Sequence, residues 1–318
     1  MAPEFIPGLE LAGRFYREAV RPLLDRHFTG LAHTAALIGP GSEVLGFDTA
    51  QSTDHDWGPR LQLFLHPGDL ARYGAEVRTV LARHLPADIA GYSTNLVPTG
   101  ERGTVHMRPV DGLVRHGVVV AGPAAWLTDR LGFDPFGDIT ADDWLATPTQ
   151  LLAEVTGGEI FHDGLGLEAV RRKLAWYPDD VWRRVLAGHW RSLGDEESFV
   201  GRCGDVGDEL GSAVLAARQV HHLMCLCLLL GRVYPPYGKW LGSAFARLPC
   251  AARLVPVLSA ALAATDWCGR ERHLCEAYEV VAGLQNESGS PRRWTPARGG
   301  FTTGRTGCWT PGGSWRRC

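Results

Sequence analysis

The chain has 318 residues, 45% of them hydrophobic, and a formal net charge of −3 at pH 7; this is enough apolar material for one large core or two ordinary ones and excludes a disordered or fibrous chain. All six arginines after residue 287 lie in a stretch without a single acidic residue, so the remaining body sets 26 basic against 35 acidic residues, a balance of −9. A body this acidic lacks the basic face that broad, sequence-independent contact with DNA or RNA requires.

The first apolar periodicity spans residues 8 to 28, where Leu9, Phe15, Tyr16, Ala19, Leu23 and Leu24 form one wide helical stripe expected to pack on a sheet. The run Ala35 to Ile38 then reads as a short buried strand that enters Gly39-Pro40-Gly41-Ser42, a turn suited to glycine-rich backbone. Ser42 is placed to cap a short helical segment, so the amides of Gly41 and Ser42 and the Ser42 hydroxyl form an expected phosphate seat at a helix start. Asp54-His55-Asp56-Trp57 leads into Arg60 to Leu65, whose leucines at 61, 63 and 65 alternate as in a half-buried strand. If strand geometry already holds at Asp54, both aspartates share a face beside the phosphate seat while His55 and Trp57 turn away. Two adjacent carboxylates repel each other and favour a hard divalent cation such as Mg2+, which in turn binds phosphate oxygens.

Pro67-Gly68-Asp69 opens a second helix to about residue 84, with Leu70, Val77, Val80 and Leu81 inward. The segments Ile89 to Val97, Thr104 to Val110 and Gly117 to Val120 are expected to complete the sheet, with Val105 to Val110 as the third central strand. From Asp134-Pro135-Phe136-Gly137 the pattern becomes helical, beginning with the capping-box-like Thr140-Ala141-Asp142-Asp143. The expected organisation is a domain over 1–135, a helical domain over 136–287 and a disordered Arg- and Gly-rich tail over 288–318, whose composition resembles out-of-frame reading of GC-rich DNA. Within the helical part, Phe161-His162-Asp163-Gly164 reads as a turn and Tyr177-Pro178-Asp179-Asp180 as a helix start. Gly201, Gly204, Gly207 and Gly211 read either as one small-residue helix face or as a loop with several turns. A long apolar helix runs from about Asp208 to Arg232 and stops at Pro235-Pro236.

Lys239, at the next helix start, is one of only two lysines beside Lys173 in a chain that otherwise uses arginine, and a compact ammonium there suits a phosphate. All eight cysteines fall from Cys203 onward with no CxxC pair. Cys268, His273 and Cys275 lack a fourth ligand at zinc spacing, so the cysteines read as small core residues. The opening Met-Ala-Pro-Glu has no basic segment followed by an apolar one, and the most apolar run, Leu223 to Leu230, is short for a bilayer; a cytoplasmic protein with no membrane partner is expected.

Gly41-Ser42, then eleven residues, then Asp54-x-Asp56 resembles the signature of the nucleotidyltransferase superfamily that includes DNA polymerase beta and the aminoglycoside nucleotidyltransferases. The stretches Gly39 to Leu65, Gly132 to Leu145, Phe199 to Gly211 and Tyr234 to Leu248 also resemble a bacterial, largely actinobacterial, family of unknown function that joins this catalytic domain to a helical C-terminal one; the likeness covers roughly residues 5–287. The resemblance implies an α+β fold, an α/β nucleotidyltransferase domain with a small mixed sheet, followed by an all-α domain closing the cleft. It implies transfer of a nucleoside monophosphate from a triphosphate, with ATP the expected donor, to an unidentified hydroxyl on a small molecule or protein. Asp54 and Asp56 would hold Mg2+, with Gly41, Ser42 and Lys239 on the nucleotide. Superfamily members place a third carboxylate on the following strand; the candidate is Asp111, in Pro-Val-Asp-Gly, which serves equally well as an ordinary turn. The alternatives are an inactive nucleotide-binding or regulatory protein of the same fold, and a metal-dependent phosphohydrolase built on the pairs His55-Asp56 and His162-Asp163.

Overall fold

The computed structural model describes residues 3–99 and 104–287; the tail expectation for 288–318 lies outside the described residues. The described residues form two compact units, divided between Trp176 and Tyr177.

The first unit opens with α1 (Gly8–Phe15) and α2 (Arg21–His27), joined by a π-turn over Tyr16–Val20 in which the Arg21 amide bonds back to the Tyr16 carbonyl. Pro22 has no amide to continue the α ladder, and the widened turn just before it takes up the mismatch. The apolar stripe survives this bulge: Phe15, Tyr16, Ala19, Leu23 and Leu24 are all buried. Strand β1 (His33–Leu37) is followed by β2 (Arg60–Leu65), antiparallel to it, with Ala36 opposite Gln62. Both strands are buried on both faces, so the leucines of β2 alternate with Gln62 and Phe64 that are equally enclosed, and the half-buried expectation does not hold.

Helix α3 (Pro67–His84) buries Val77 and Leu81 as expected. After it come two small ladders: β3 (Asp88–Ile89) with β4 (Tyr92–Ser93), turned by Ala90 and Gly91 at positive φ, and β5 (Leu96–Pro98) with β6 (Val105–Met107). Val105 to Val110 is therefore not the third central strand. Its strand ends at Met107 in a separate ladder, and Pro109 offers no amide to extend it. The strand beside β2 is β7 (Gly117–Ala121), parallel, with Arg60 opposite Gly117.

Helices α4 (Pro123–Leu131), α5 (Ala141–Ala146) and α6 (Thr149–Thr156) lead to β8 (Glu159–Asp163), and α7 (Leu167–Leu174) closes the unit. The expected capping box is present: the Asp143 amide donates to Thr140 Oγ1, while the Thr140 amide donates to the Asp143 carboxylate. The expected turn at Phe161-His162-Asp163 is instead the end of β8, which lies antiparallel to β1 and gives the sheet its order β7-β2-β1-β8. Residues 136–176, read from sequence with the helical part, thus contribute a strand to the sheet. Asp163 accepts from Thr34 Oγ1 and from the Leu167 and Glu168 amides, which fixes strand end and helix start together and holds its carboxyl below the usual range despite partial burial.

The second unit consists of α8 (Asp179–Glu196), α9 (Phe199–Asp205), α10 (Glu209–Leu230), α11 (Gly238–Ala246), α12 (Ala251–Ala263) and α13 (Trp267–Glu287). An α+β unit followed by an all-α one is the expected fold class. The glycine series divides between both expectations. Gly201 and Gly204 lie on α9, where a Cβ on Gly204 would fall 2.0 Å from Trp267 Cγ, and Gly207 breaks the chain at φ 80° before Asp208 caps α10. Helix α10 packs against α8, α9, α11, α12 and α13. Among the described residues it is the one helix long and apolar enough to cross a bilayer by length and composition, and half of its most apolar stretch is buried inside the unit.

Candidate functional site

The site begins where β1 stops. Past Leu37, the Ile38 amide donates to Gln62 Oε1 and the Ile38 carbonyl accepts from Gln62 Nε2, both at 3.0 Å, so a buried side-chain amide stands in for the next backbone partner. The Gly39 amide then donates to the Glu154 carbonyl at 2.8 Å. These bonds hold the rim of the Gly39–Ser42 loop while the chain turns through Gly39 and Gly41 at φ 88° and 156°.

Residues 42–46 continue as hydrogen-bonded turns, with Phe47 N donating to Ser42 O and Gly46 N to Glu43 O, and not as the expected helix. The loop expected to seat a phosphate therefore has no helix dipole behind it. Its donors are local: among the described residues the amides of Gly41 and Ser42 and the Ser42 hydroxyl give their protons to no protein group, and both residues are partly exposed.

Positive charge flanks the loop on two sides. Arg60, the first residue of β2, donates from Nη2 to Pro40 O at 2.7 Å and from Nε and Nη2 to Glu43 Oε1 at 2.9 and 2.6 Å. A Cβ on Gly41 would lie 2.3 Å from Arg60 Nη2, so only glycine lets this guanidinium pass so close under the loop. On the other side Arg130, from α4, stacks over Trp126 at 4.4 Å and approaches Glu154 Oε2 at 3.8 Å, while its buried Nε meets no partner. A Cβ on Gly39 would touch both Trp126 and Arg130. Sequence reasoning missed Arg60, Glu43 and Arg130; the signal for the first two was a charged residue on each flank of the motif, opening or interrupting an apolar run.

Asp54 and Asp56 lie on the segment entering β2, and because β2 is antiparallel to β1 this segment approaches the same end of the sheet as the Gly39–Ser42 loop. Strand geometry does not extend back to them. Asp54 ends a short 3-10 turn (Ala50–Asp54) and Asp56 has φ 50°, so the alternation that would set both carboxylates on one face is absent. Trp57 is buried, with its indole Nε1 donating to Asp48 Oδ2, an atom that also accepts from the Gly8 amide. Asp56 is pinned by two bonds to Val105: its amide donates to the Val105 carbonyl, and the Val105 amide donates to Asp56 Oδ1, both at 2.9 Å. Asp54 Oδ1 sits 2.7 Å from His55 Nδ1. All three side chains are exposed, and each carboxylate keeps one oxygen outside these contacts.

Asp111 lies in an exposed bend with Gly112 at φ 118°, not on a strand. Among the described residues no three His, Cys, Asp or Glu side chains are arranged to hold a metal ion. Two exposed carboxylates still suit Mg2+, which is commonly held by one or two carboxylates with water and substrate phosphates completing the shell; the donor set fits an ion that arrives with a triphosphate better than a resident one. The two His-Asp pairs of the hydrolase alternative lie toward opposite ends of the sheet, since Asp163 pairs with Thr34 at the start of β1. Lys239 belongs to the second unit, exposed in the first turn of α11 with its ammonium 4.9 Å from the Trp240 ring centre.

Residues 144–241 match a family described as Domain of unknown function (DUF4037). The match runs from the end of α5 through α6, β8 and α7 to α10 to the start of α11 with Lys239, and it leaves out the loop at Gly41 and Asp54 and Asp56. No curated protein matches the chain.

Proposed function

We propose that the end of the sheet at Gly39–Ser42 binds the phosphates of a nucleoside triphosphate and that the protein is a Mg2+-dependent nucleotidyltransferase. The observation that carries this reading is the open donor loop, Gly41 and Ser42 with protons given to no protein group, flanked by Arg60 and Arg130 at the sheet end approached by the Asp54–Asp56 segment. Preorganised amides and guanidinium groups favour charge on a phosphate chain without reorganising as the reaction proceeds. Asp54 and Asp56, with one oxygen each outside their protein contacts, would hold the metal that neutralises the phosphate oxygens and the leaving group. The loop orients the chain for in-line attack, which supplies the proximity contribution. An acceptor hydroxyl bonds to the α-phosphorus, the bond to the bridging oxygen of the β-phosphate breaks, pyrophosphate leaves, and the acceptor proton passes to water.

The test is a thermal-shift and pyrophosphate-release pair. ATP with Mg2+ is expected to raise the melting temperature of the wild type, and Asp54→Asn and Asp56→Asn are each expected to remove most of that shift. Full retention of Mg2+-dependent stabilisation in both variants sinks the assignment.

A second reading is favoured by one observation: among the described residues no third carboxylate joins Asp54 and Asp56 in a group that could hold a metal ion, and Asp111 lies in its exposed bend. On that reading the protein binds the triphosphate without turning it over. Mg2+-dependent stabilisation with no pyrophosphate released in the presence of varied hydroxyl acceptors distinguishes it.

A further inference from the structure

The last turns of α3 and the chain that enters β7 are tied together. The Val114 amide donates to the Ala82 carbonyl at 2.8 Å, and His116 Nε2 lies 3.2 Å from the Arg78 carbonyl. The Arg115 amide donates to Asn95 Oδ1 while the Arg115 carbonyl accepts from the Leu96 amide, both at 2.8 Å. These bonds occupy carbonyls near the helix C-terminus that would otherwise repel an anion, and they fix the backbone under Arg115. His116 serves the wall and not the charge. Its Nε2–H faces the Arg78 carbonyl, its Nδ1 accepts from the Val118 amide, and burial lowers its proton affinity, so the ring is neutral at pH 7.

Between these elements, wholly within the first unit, lies a groove with a cavity volume of about 410 Å3. Sites for small molecules span about 300–1,000 Å3. Three arginines line the groove, Arg78, Arg83 and Arg115, and no described carboxylate does. Arg78 donates from Nη2 to the Val120 carbonyl at 2.7 Å. Among the described residues the side chains of Arg83 and Arg115 make no hydrogen bond or ion pair, and both residues are exposed. The acidic residues that outnumber the basic ones in the body of the chain are thus missing from the one lining where they would neutralise clustered positive charge.

We propose that this groove binds a small organic phosphate monoester, with the phosphate between Arg83 and Arg115 and the organic part against Leu113, Val114 and Ala82. The two open guanidinium groups select the anion, because each planar fork takes two oxygens. A carboxylate fills one fork. The three terminal oxygens of a phosphate monoester engage both, and its charge of about −1.5 to −2 at pH 7 answers two cations. The rest of the lining selects the organic portion: Leu113 is 66% exposed, a large apolar side chain at the rim that a bound carbon skeleton covers. This site is separate from the Gly39–Ser42 loop, none of whose residues lines the groove.

Phenyl phosphate is the probe, titrated calorimetrically into the full chain, with inorganic phosphate and benzoate as comparisons. It is expected to bind about tenfold or more tighter than either, since the first lacks the apolar part and the second leaves one fork unfilled. Arg83→Ala and Arg115→Ala are each expected to weaken it by about tenfold or more, as loss of hydrogen bonds between charged groups does, and Arg83→Lys and Arg115→Lys to recover part of that loss. Both side chains are exposed and unbonded, so the variants should unfold at the wild-type temperature, which separates lost binding from lost fold. No saturable binding in the wild type, benzoate binding as tightly as phenyl phosphate, or equal affinity in the wild type and both alanine variants overturns the proposal. Weakening by Ser42→Ala with both arginine variants unchanged places the probe on the Gly41–Ser42 loop and overturns it as well.

Discussion

At the sheet end, Glu43 is 2% exposed and its carboxylate receives two N–H bonds from Arg60, whose third contact is the Pro40 carbonyl. In the helical unit, Glu197 is also withdrawn from water, but its Oε2 meets no partner, and burial with repulsion from Glu271 pushes its carboxyl up to about 7. His189 shows the complementary case. Burial, with the nearby His222 and His221, lowers it to about 4, and its Nδ1 faces His222 Nδ1 at 3.1 Å, so at most one of the two facing nitrogens carries the proton. The contrast shows two ways to enclose ionisable groups. Around the loop, charge is retained and paired, which fixes the backbone that an anion would meet; between the helices, charge is relinquished, which leaves stability dependent on pH.

The largest effect is expected from breaking the paired charge. Arg60→Ala leaves the Glu43 carboxylate buried without its guanidinium and frees the Pro40 carbonyl, and removal of one partner of a buried pair costs about 3–5 kcal/mol. Urea denaturation, read through hydrogen exchange at the β1 and β2 amides, checks this; replacement of Arg60 and Glu43 together by Met and Leu is expected to recover much of the loss. A cost for Arg60→Ala within about 0.5 kcal/mol, typical of an unremarkable surface position, would show that the pair does not hold the loop.

The relinquished charge gives the next largest effect, and its sign follows from linkage. A Glu197 carboxyl raised to about 7 from 4.5 stabilises the folded state fully at low pH and loses that contribution as pH climbs through this window. A His189 lowered to about 4 from 6.5 acts oppositely: its contribution is present above 6.5 and lost as pH falls toward 4. Where the windows overlap, the two slopes offset each other. Glu197→Gln removes the falling one, so the variant's stability is expected to rise with pH between about 4 and 6.5, and above pH 7 it should exceed the wild type by up to about 3 kcal/mol. Chemical denaturation across pH 4–8 checks both; parallel curves for wild type and variant would dispose of the buried carboxyl.

Periodicity made the helices legible. The stripe from Leu9 to Leu24, the inward face of α3, and α8, α10 and α11 all follow from spacing and from proline and glycine punctuation, because a helix is decided by neighbours within one or two turns. The buried run before Gly39 marked β1 for the same local reason. What sequence did not disclose depends on partners far along the chain. Phe161-His162-Asp163 carries turn-forming residues and reads as a turn, yet it is a strand because β1 lies some 125 residues earlier with an open edge. Val105 to Val110 has strand-like composition, but nothing local says that its partner is Leu96 to Pro98 and not the central sheet. At the candidate site the order of loop, spacer and Asp-x-Asp was readable, whereas the left-handed Asp56, the Arg60–Glu43 pair and Arg130 against Trp126 arise from tertiary contacts without periodic signature.

The smallest expected effect is also the one that separates structure from chemistry at the site. Asp56 combines a backbone at φ 50° with a carboxylate oxygen that accepts from the Val105 amide. Asparagine tolerates the left-handed region and keeps an oxygen in the same place, so Asp56→Asn is expected to change stability by no more than about 0.5 kcal/mol. Alanine tolerates neither: the conformational penalty of about 1–2 kcal/mol joins the lost hydrogen bond, and Asp56→Ala is expected to destabilise the first unit by about 1.5–3 kcal/mol. Stabilisation by ATP with Mg2+ should fall in both, because both remove the charge. Loss of that response in Asp56→Ala alone would mean that Asp56 shapes the segment entering β2 without meeting the metal, and the two-carboxylate reading would then rest on Asp54 by itself.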